Sequence, residues 1–364
     1  MNLDEEIKAI EDEIRNTKYN KSTQHHIGRL KAKLSRLREE QLKRRTKGGG
    51  ASTGYSIRKS GDATVALVGF PSVGKSTLLN NFTNAESDVA AYDFTTMKVV
   101  PGIMEYDGAR IQLLDLPGLV RSASSGRGKG REVISVIRAA DLVLFLIDVF
   151  NIKQLELLKK ELSDAGIRLD ERPPAVKIRN RKTGGISINS TVKLTQIDEV
   201  EIRGALSEYR MHNAEVVIRE DITLDRFIDA LSKNRVYLLS VVALNKVDLV
   251  KKKYLKEVTD QLKGYKYVPV SAQKGTNLKK LKEAVYKKLK FIKVYMKPRG
   301  KNPDLDEPMI VVEGATVGDV CDRIHRGKRK SFRYAQIWGK SVKFGGQRAG
   351  LDHVLQEGDI VTIV

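Results

Sequence analysis

The chain has 364 residues, a formal net charge of +21 and 41% apolar residues. That length exceeds one average domain, and the positive excess points to a polyanionic partner, nucleic acid or an anionic membrane surface. A single cysteine, Cys321, excludes an internal disulfide framework and fits a reducing cytoplasm.

No apolar run reaches membrane-spanning length, and the acidic, amphipathic start MNLDEEIKAIEDEI is not a signal peptide. Residues 1–60 read as a basic helical region. Ile7, Ile10 and Ile14 recur at helical spacing, as do Leu30, Leu34 and Leu37, with a break near NTKYNKST where Ser22 or Thr23 can cap the second helix. The second helix is strongly basic over 29–47, either a solvated hairpin arm or a basic arm for RNA. GGGASTG (48–54) is a hinge.

From residue 61 to 290 the pattern is that of a doubly wound α/β domain. TVALVGF, ARIQLLDL, DLVLFLID, VYLLSVVALN and YKYVPVSA are near-continuous apolar strands of the kind a parallel sheet buries on both faces. KSTLLNNFTN continues the first strand as a helix. The interval between Asp115 and Asn245 is longer than two βα units of about 30 residues each require. The excess, about 170–234, predicts an inserted α+β subdomain. Its Pro-Pro and Gly-Gly suggest an extended segment and a hairpin turn, followed by a helix capped by Thr195, the strand AEVVIRE and the helix TLDRFIDALSK. From Phe291 to the end, four short strands and a helix capped by Thr316 predict a small β-rich module.

GFPSVGKS matches G-x-x-x-x-G-K-[ST] between a strand and a helix, the context that makes the match specific for a phosphate-binding loop. Gly69, Pro71, Ser72, Val73 and Gly74 form the loop. Lys75 neutralises β/γ oxygens, Ser76 ligates Mg²⁺, and Thr77 continues the helix whose N-terminus favours anions. NKVD, with Asn245, Lys246 and Asp248, reads the base. A carboxylate there accepts from guanine N1–H and its exocyclic amine at once; adenine leaves it unpaired, so an ATPase is disfavoured. Ser271, Ala272 and Gln273 of SAQK support the ring through backbone groups. Between these loops, AYDFTTMKVVPG offers Thr95 and Thr96 as candidates to cap Mg²⁺, and DLPG offers Asp115 to the metal shell and Gly118 to the γ-phosphate. Leu119 stands where Ras-like GTPases keep a water-orienting glutamine. SASSGRGKGREV suits a mobile switch, with Arg121, Arg127 and Arg131 as candidate charge stabilisers.

Together, GFPSVGKSTLLN, FTTMKVVPG, DLPGLV and NKVDL resemble the Obg superfamily of GTPases. The helical N-terminus, the insertion and the C-terminal module narrow the resemblance to its developmentally regulated GTP-binding (DRG) family, over essentially the whole chain. The resemblance implies a P-loop GTPase core with an N-terminal helical arm, an inserted α+β subdomain and a C-terminal TGS domain of β-grasp fold at 291–364. It selects Thr96 as the magnesium-sensing threonine and makes a hydrophobic residue at Leu119 expected. It implies GTP/GDP and Mg²⁺ as ligands, a cytoplasmic protein associated with translating ribosomes, and regulatory proteins of the kind that bind eukaryotic members. Related GTPases that use K⁺ carry asparagine at the place of Ser72, whose one oxygen is a weaker ligand. Two functions remain open: a slow, cation- or partner-stimulated GTPase switch in translation, or a GTP-binding ribosome or RNA scaffold with negligible hydrolysis. The chain is expected to be a monomer without membrane partners, meeting RNA through the basic helix and through HRGKRKSFRY (325–334), where Phe332 and Tyr334 could stack on unpaired bases.

Overall fold

The computed structural model describes residues 3–18, 20, 22–47, 60–83, 92–94, 97–116, 129–262, 264–325 and 327–364. It divides into two units, Met1–Gly54 with Gly166–Tyr237, and Tyr55–Ala165 with Leu238–Val364.

In the second unit the sheet runs in the order Tyr267–Pro269, Val236–Asn245, Leu142–Asp148, Ala63–Val68, Ala109–Asp115, Met97–Tyr106, Tyr92–Phe94. The first five strands are parallel and the last two antiparallel. Helices Lys75–Phe82 and Leu278–Leu289 pack Leu78, Phe82, Leu281 and Val285 against Val65, Leu67, Leu113 and Leu144. The alternate strand residues Ala66, Leu114, Val143 and Phe145 are equally buried. That is why these strands are apolar throughout: each face is covered by helices.

The C-terminal module of the same unit has the strand order Met309–Val312, Phe291–Met296, Ile360–Ile363, Ala335–Trp338, Gln347–Ala349. Its central pair is parallel and the rest antiparallel. Helix Val317–Ile324 packs Val317, Val320 and Cys321 into the module's core. As the sequence predicts, Thr316 caps it, and Asp319 completes a reciprocal capping box. Ile310 joins the core of the parallel sheet. Lys293 Nζ lies 2.7 Å from Asp107 Oδ1, and Arg323 pairs with Asp62.

The first unit holds helices Leu3–Asn16 and Gln24–Lys47 together with the insertion. Ile7, Ile10 and Leu37 close the helical hairpin. Ala32 enters the insertion's core with Ile202, Leu206, Phe227 and Leu231. Gly28 makes this approach feasible, since a Cβ there would lie 2.6 Å from Leu224 Cδ2. Two expectations for the insertion are corrected. The strands Val176–Asn180 and Ile186–Ser190 do not pair as a hairpin; Ala214–Ile218 lies between them, antiparallel to the first and parallel to the second. The helix Glu199–Glu208 is capped by Asp198, in a box with Glu201. Thr195 instead donates its backbone N–H to Asp221.

Candidate nucleotide site

The parallel strands end where Leu67 registers with Asp115 and Asn245 with Asp148. The crevice beyond these carboxyl ends is the usual ligand position of an open α/β sheet. The loop that follows Val68 curls back on itself, with Ser72 at φ 62° and Gly74 at φ 96°. Gly74 is needed twice over. Its φ is one that side chains rarely adopt, and a Cβ would meet Asn245 Nδ2 at 2.6 Å. Gly69 is needed for space alone, because its Cβ would lie 2.5 Å from Leu146 O.

Helix Lys75–Phe82 starts from Gly74 with no side-chain cap. Its first backbone N–H groups therefore stay available to phosphate oxygens, with the helix dipole adding to their pull. Lys75 Nζ donates to Gly69 O and Phe70 O, at 3.1 Å each. Burial pushes its ammonium pKa down, and the Asp115 carboxylate opposes that shift. Ser76 Oγ donates to Asp115 Oδ2 at 2.6 Å. A hydroxyl and a carboxylate thus converge beside a half-buried ammonium, a set of hard oxygens suited to Mg²⁺.

The NKVD loop is tied to this cradle by Asn245, which is only 2% exposed. Its Nδ2 donates to Val73 O at 2.7 Å and its Oδ1 accepts from Ala272 N at 2.8 Å. Lys246 adopts φ 63° and reaches Asp148 Oδ2 at 2.6 Å. The Asp248 side chain is only 10% exposed. The Ser271 hydroxyl, donating to Asp248, is the main cause that holds its carboxyl below the usual range, and Lys274 adds to the effect. Ser271 Oγ in turn accepts from Lys274 N at 3.1 Å. So Ser271 acts through its side chain as well as through its backbone, which the sequence alone did not suggest.

Sequence reasoning missed two further residues. Asn81 donates to Ala272 O at 2.7 Å and to Thr77 O at 3.2 Å, a second tie between the loops. Asp148 anchors Lys246; its only sequence signal is an acid closing an apolar strand. Pro71, Thr77 and Gln273 are exposed members of the two loops. Thr95, Thr96, Gly118, Leu119, Arg121 and Arg127 lie outside the described residues, as does the side chain of Arg131.

Three family models match along the chain. Residues 64–181 match a family described as 50S ribosome-binding GTPase, 183–291 the C-terminal region of that domain, and 292–364 the TGS domain. A GTP-binding protein of Methanocaldococcus jannaschii is 58% identical over 366 residues, spanning 100% of this chain and 93% of its own length. Developmentally-regulated G-protein 3 of Arabidopsis thaliana is 45% identical, over 99% of this chain and 98% of its own. Developmentally-regulated GTP-binding protein 2 of Homo sapiens is 43% identical over 100% of both.

The chain belongs to the developmentally regulated GTP-binding protein family. As a DRG protein it binds GTP, and its core is that of the P-loop GTPases, with a TGS domain at the C-terminus. The geometry of the DRG site agrees in kind: an anion cradle, an oxygen pair beside it, and an Asp248 carboxyl held below its usual pKa range in the loop tied to that cradle. Among the described residues no helix is long and apolar enough to cross a membrane.

Proposed function

We propose that this DRG protein is a slow, Mg²⁺-dependent GTPase that acts as a cytoplasmic switch in translation. The convergence of Lys75, Ser76 and Asp115 at one end of the sheet carries the hydrolytic part of the reading. Ser76, Asp115 through water, and Thr96 would hold Mg²⁺, which supplies charge neutralisation at the β- and γ-phosphates when bound. Lys75 and the uncapped helix amides orient the phosphates. In-line attack by water breaks the bond from the γ-phosphorus to the β–γ bridging oxygen, and GDP and phosphate leave. The Gly118 amide serves the γ-phosphate, while Leu119 brings no polar atom to the water. That missing group is the reason the intrinsic rate is slow.

Stabilising charge must then come from elsewhere. Ser72 is exposed, and its hydroxyl makes no hydrogen bond among the described residues, so it is free to serve as one ligand of K⁺. We expect GTP hydrolysis several-fold faster in K⁺ than in Na⁺ at equal ionic strength, with Ser72→Ala shrinking the difference. Multiple-turnover phosphate release, with and without ribosomes, measures this. Equal rates in both salts would remove K⁺ and leave an arginine, from a regulatory protein of the DRG type or from Arg121, Arg127 or Arg131. Ribosomes that bind without altering the rate would favour the scaffold reading over the switch.

The net charge and the ribosome-binding description of the matching family support an RNA partner for what we take to be a monomer. The proposed contact surfaces are the basic N-terminal helix and the loop at 325–334. In that loop Arg329 pairs with Asp322 at 3.4 Å, whereas Lys328 and Lys330 enter no salt bridge among the described residues. Its aromatics are engaged: Phe332 packs on the module's core, and Arg348 lies 4.4 Å over the Tyr334 ring. The loop is therefore suited to phosphates rather than to base stacking. Replacing Lys328 and Lys330 by glutamine should reduce the salt slope of ribosome binding by about 1.4–1.8, which is 0.7–0.9 for each phosphate no longer neutralised.

A further inference from the structure

The helix that looks most basic in the sequence has spent much of its charge inside its own unit. Arg29 meets Glu208 at 3.4 Å, Lys31 meets Asp225 at 2.9 Å, Lys33 meets Glu6 at 2.9 Å and Arg38 meets Glu11 at 2.7 Å. The acidic first helix and the acidic side chains of the insertion are its counterions.

The reverse holds on the insertion's three-stranded sheet. One face is apolar, with Ile178, Ile188, Val216 and Ile218 turned into the core. On the other, the register sets Val217 between Lys177 and Asn189, and Glu215 between Arg179 and Ser187. Arg181 continues this face, paired with Glu215 at 2.8 Å, and Arg219 extends it along the central strand. Lys177, Arg179 and Arg219 are exposed and enter no salt bridge among the described residues. With Glu215 and Val217 they line a shallow depression of about 180 Å³. Four cations thus share this face with one carboxylate, whose pKa is held down by Arg181 foremost, then by Arg179 and Lys177. Concentrating like charges on one open sheet face gains the fold nothing.

We infer that the outer face of this sheet is a binding surface for the sugar-phosphate backbone of duplex RNA. Alternate residues on a strand lie about 6.7 Å apart, a spacing close to that of successive phosphates, and this matches Lys177, Arg179 and Arg181. The named side chains of the face include no aromatic ring, so it is not built to stack unpaired bases. Ser187 and Asn189 present hydroxyl and amide groups on the same face, the chemistry that engages 2′-hydroxyls across the shallow groove of A-form RNA. The surface thus recognises shape and charge, not sequence.

This inference rests on the RNA-partner reading above, and the experiment separates the two. The full-length protein and the variant Lys177→Gln/Arg179→Gln/Arg219→Gln are titrated with ribosomes and with a short RNA duplex over a range of salt. Glutamine keeps these exposed positions polar and leaves both cores untouched; unchanged GTP affinity and circular dichroism verify the fold. The expected result is at least a tenfold loss of duplex affinity, with a salt slope lower by two to three at roughly 0.7–0.9 per phosphate. Wild type that binds RNA while the variant keeps the same slope overturns this surface alone. Wild type that binds neither ribosomes nor duplex overturns both readings. An equal effect with DNA duplex overturns the 2′-hydroxyl contact, and an acidic peptide that competes as well as RNA at equal charge reassigns the face to a protein partner.

Discussion

Asn245→Ala is expected to lower GTP and GDP affinity by about 30-fold or more, and to destabilise the nucleotide-binding unit as well. One buried amide serves two loops. Its loss strands the Val73 carbonyl, which accepts at 2.7 Å, and the Ala272 amide, which donates at 2.8 Å. Each buried polar group left without a partner costs about 1–3 kcal/mol, and about 1.4 kcal/mol is a factor of ten in affinity. The two losses act on different loops, Val73 in GFPSVGKS and Ala272 in SAQK. Asn245→Asp is the informative companion. A carboxylate still accepts from Ala272 but sets a buried charge and a second acceptor against the Val73 carbonyl, so its defect should equal or exceed that of alanine. Asn81→Ala should cost less, because it removes one tie to Ala272 O and leaves Asn245 in place. Calorimetric titration with GTP and GDP, paired with thermal unfolding, reads both consequences. An alanine variant with wild-type affinity would mean that the two loops hold their positions independently.

These two asparagines also mark the limit of what the sequence discloses. The phosphate loop is legible because its chemistry is local: glycines at fixed offsets, then Lys75 and Ser76 opening a helix. Asp248 is legible because NKVD follows a buried strand and precedes SAQK. The bond from Asn81 to Ala272 spans 191 positions of sequence, and nothing in KSTLLNNF distinguishes Asn81 from its neighbour Asn80. The apolar strands of the parallel sheet announce themselves through double burial, whereas the insertion's Val176–Asn180 and Ile186–Ser190 alternate faces. Adjacent alternating strands with a Gly-Gly between them read as a hairpin, and only the tertiary pairing shows a third strand between them. The same applies to the N-terminal helices. Their charge is plain in the sequence; that much of it is matched to Glu208 and Asp225 nearly two hundred residues away is not. Counting charge points to the helix, while the less conspicuous Lys177, Arg179 and Arg219 of the sheet face enter no salt bridge among the described residues. Phe332 illustrates the same error on a smaller scale, since an aromatic in a basic loop resembles a stacking platform until its place in the module's core is seen.

Asp248→Asn is expected to invert base preference, lowering GTP affinity by a factor on the order of 10⁴ and raising that for xanthosine triphosphate. Sites that lose a specific buried hydrogen-bonding match discriminate on about that scale. Guanine offers two donors, N1–H and the exocyclic amine, to a group that must only accept. Asp248 is kept in that state chiefly by the Ser271 hydroxyl, which donates to it and so stabilises the ionised form. Asparagine presents one acceptor and one donor. The donor opposes guanine's amine but satisfies the 2-oxo group that xanthine carries in its place. The pH dependence follows in sign. A lowered carboxyl pKa leaves recognition intact at neutral pH and loses it as the pH falls through that value, where protonation turns an acceptor into a donor. Ser271→Ala removes the main cause of the depression, so the acid loss of GTP binding should begin at higher pH. Asp248→Asn has no carboxyl to protonate, and its residual GTP binding should lack this acid limb. Competition between GTP and xanthosine triphosphate across the acid range tests both statements. Unchanged GTP affinity in Asp248→Asn would remove this residue from the base site. An acid limb unmoved by Ser271→Ala would leave Asp248 in place and assign its low pKa to Lys274, whose ammonium lies 3.7 Å away.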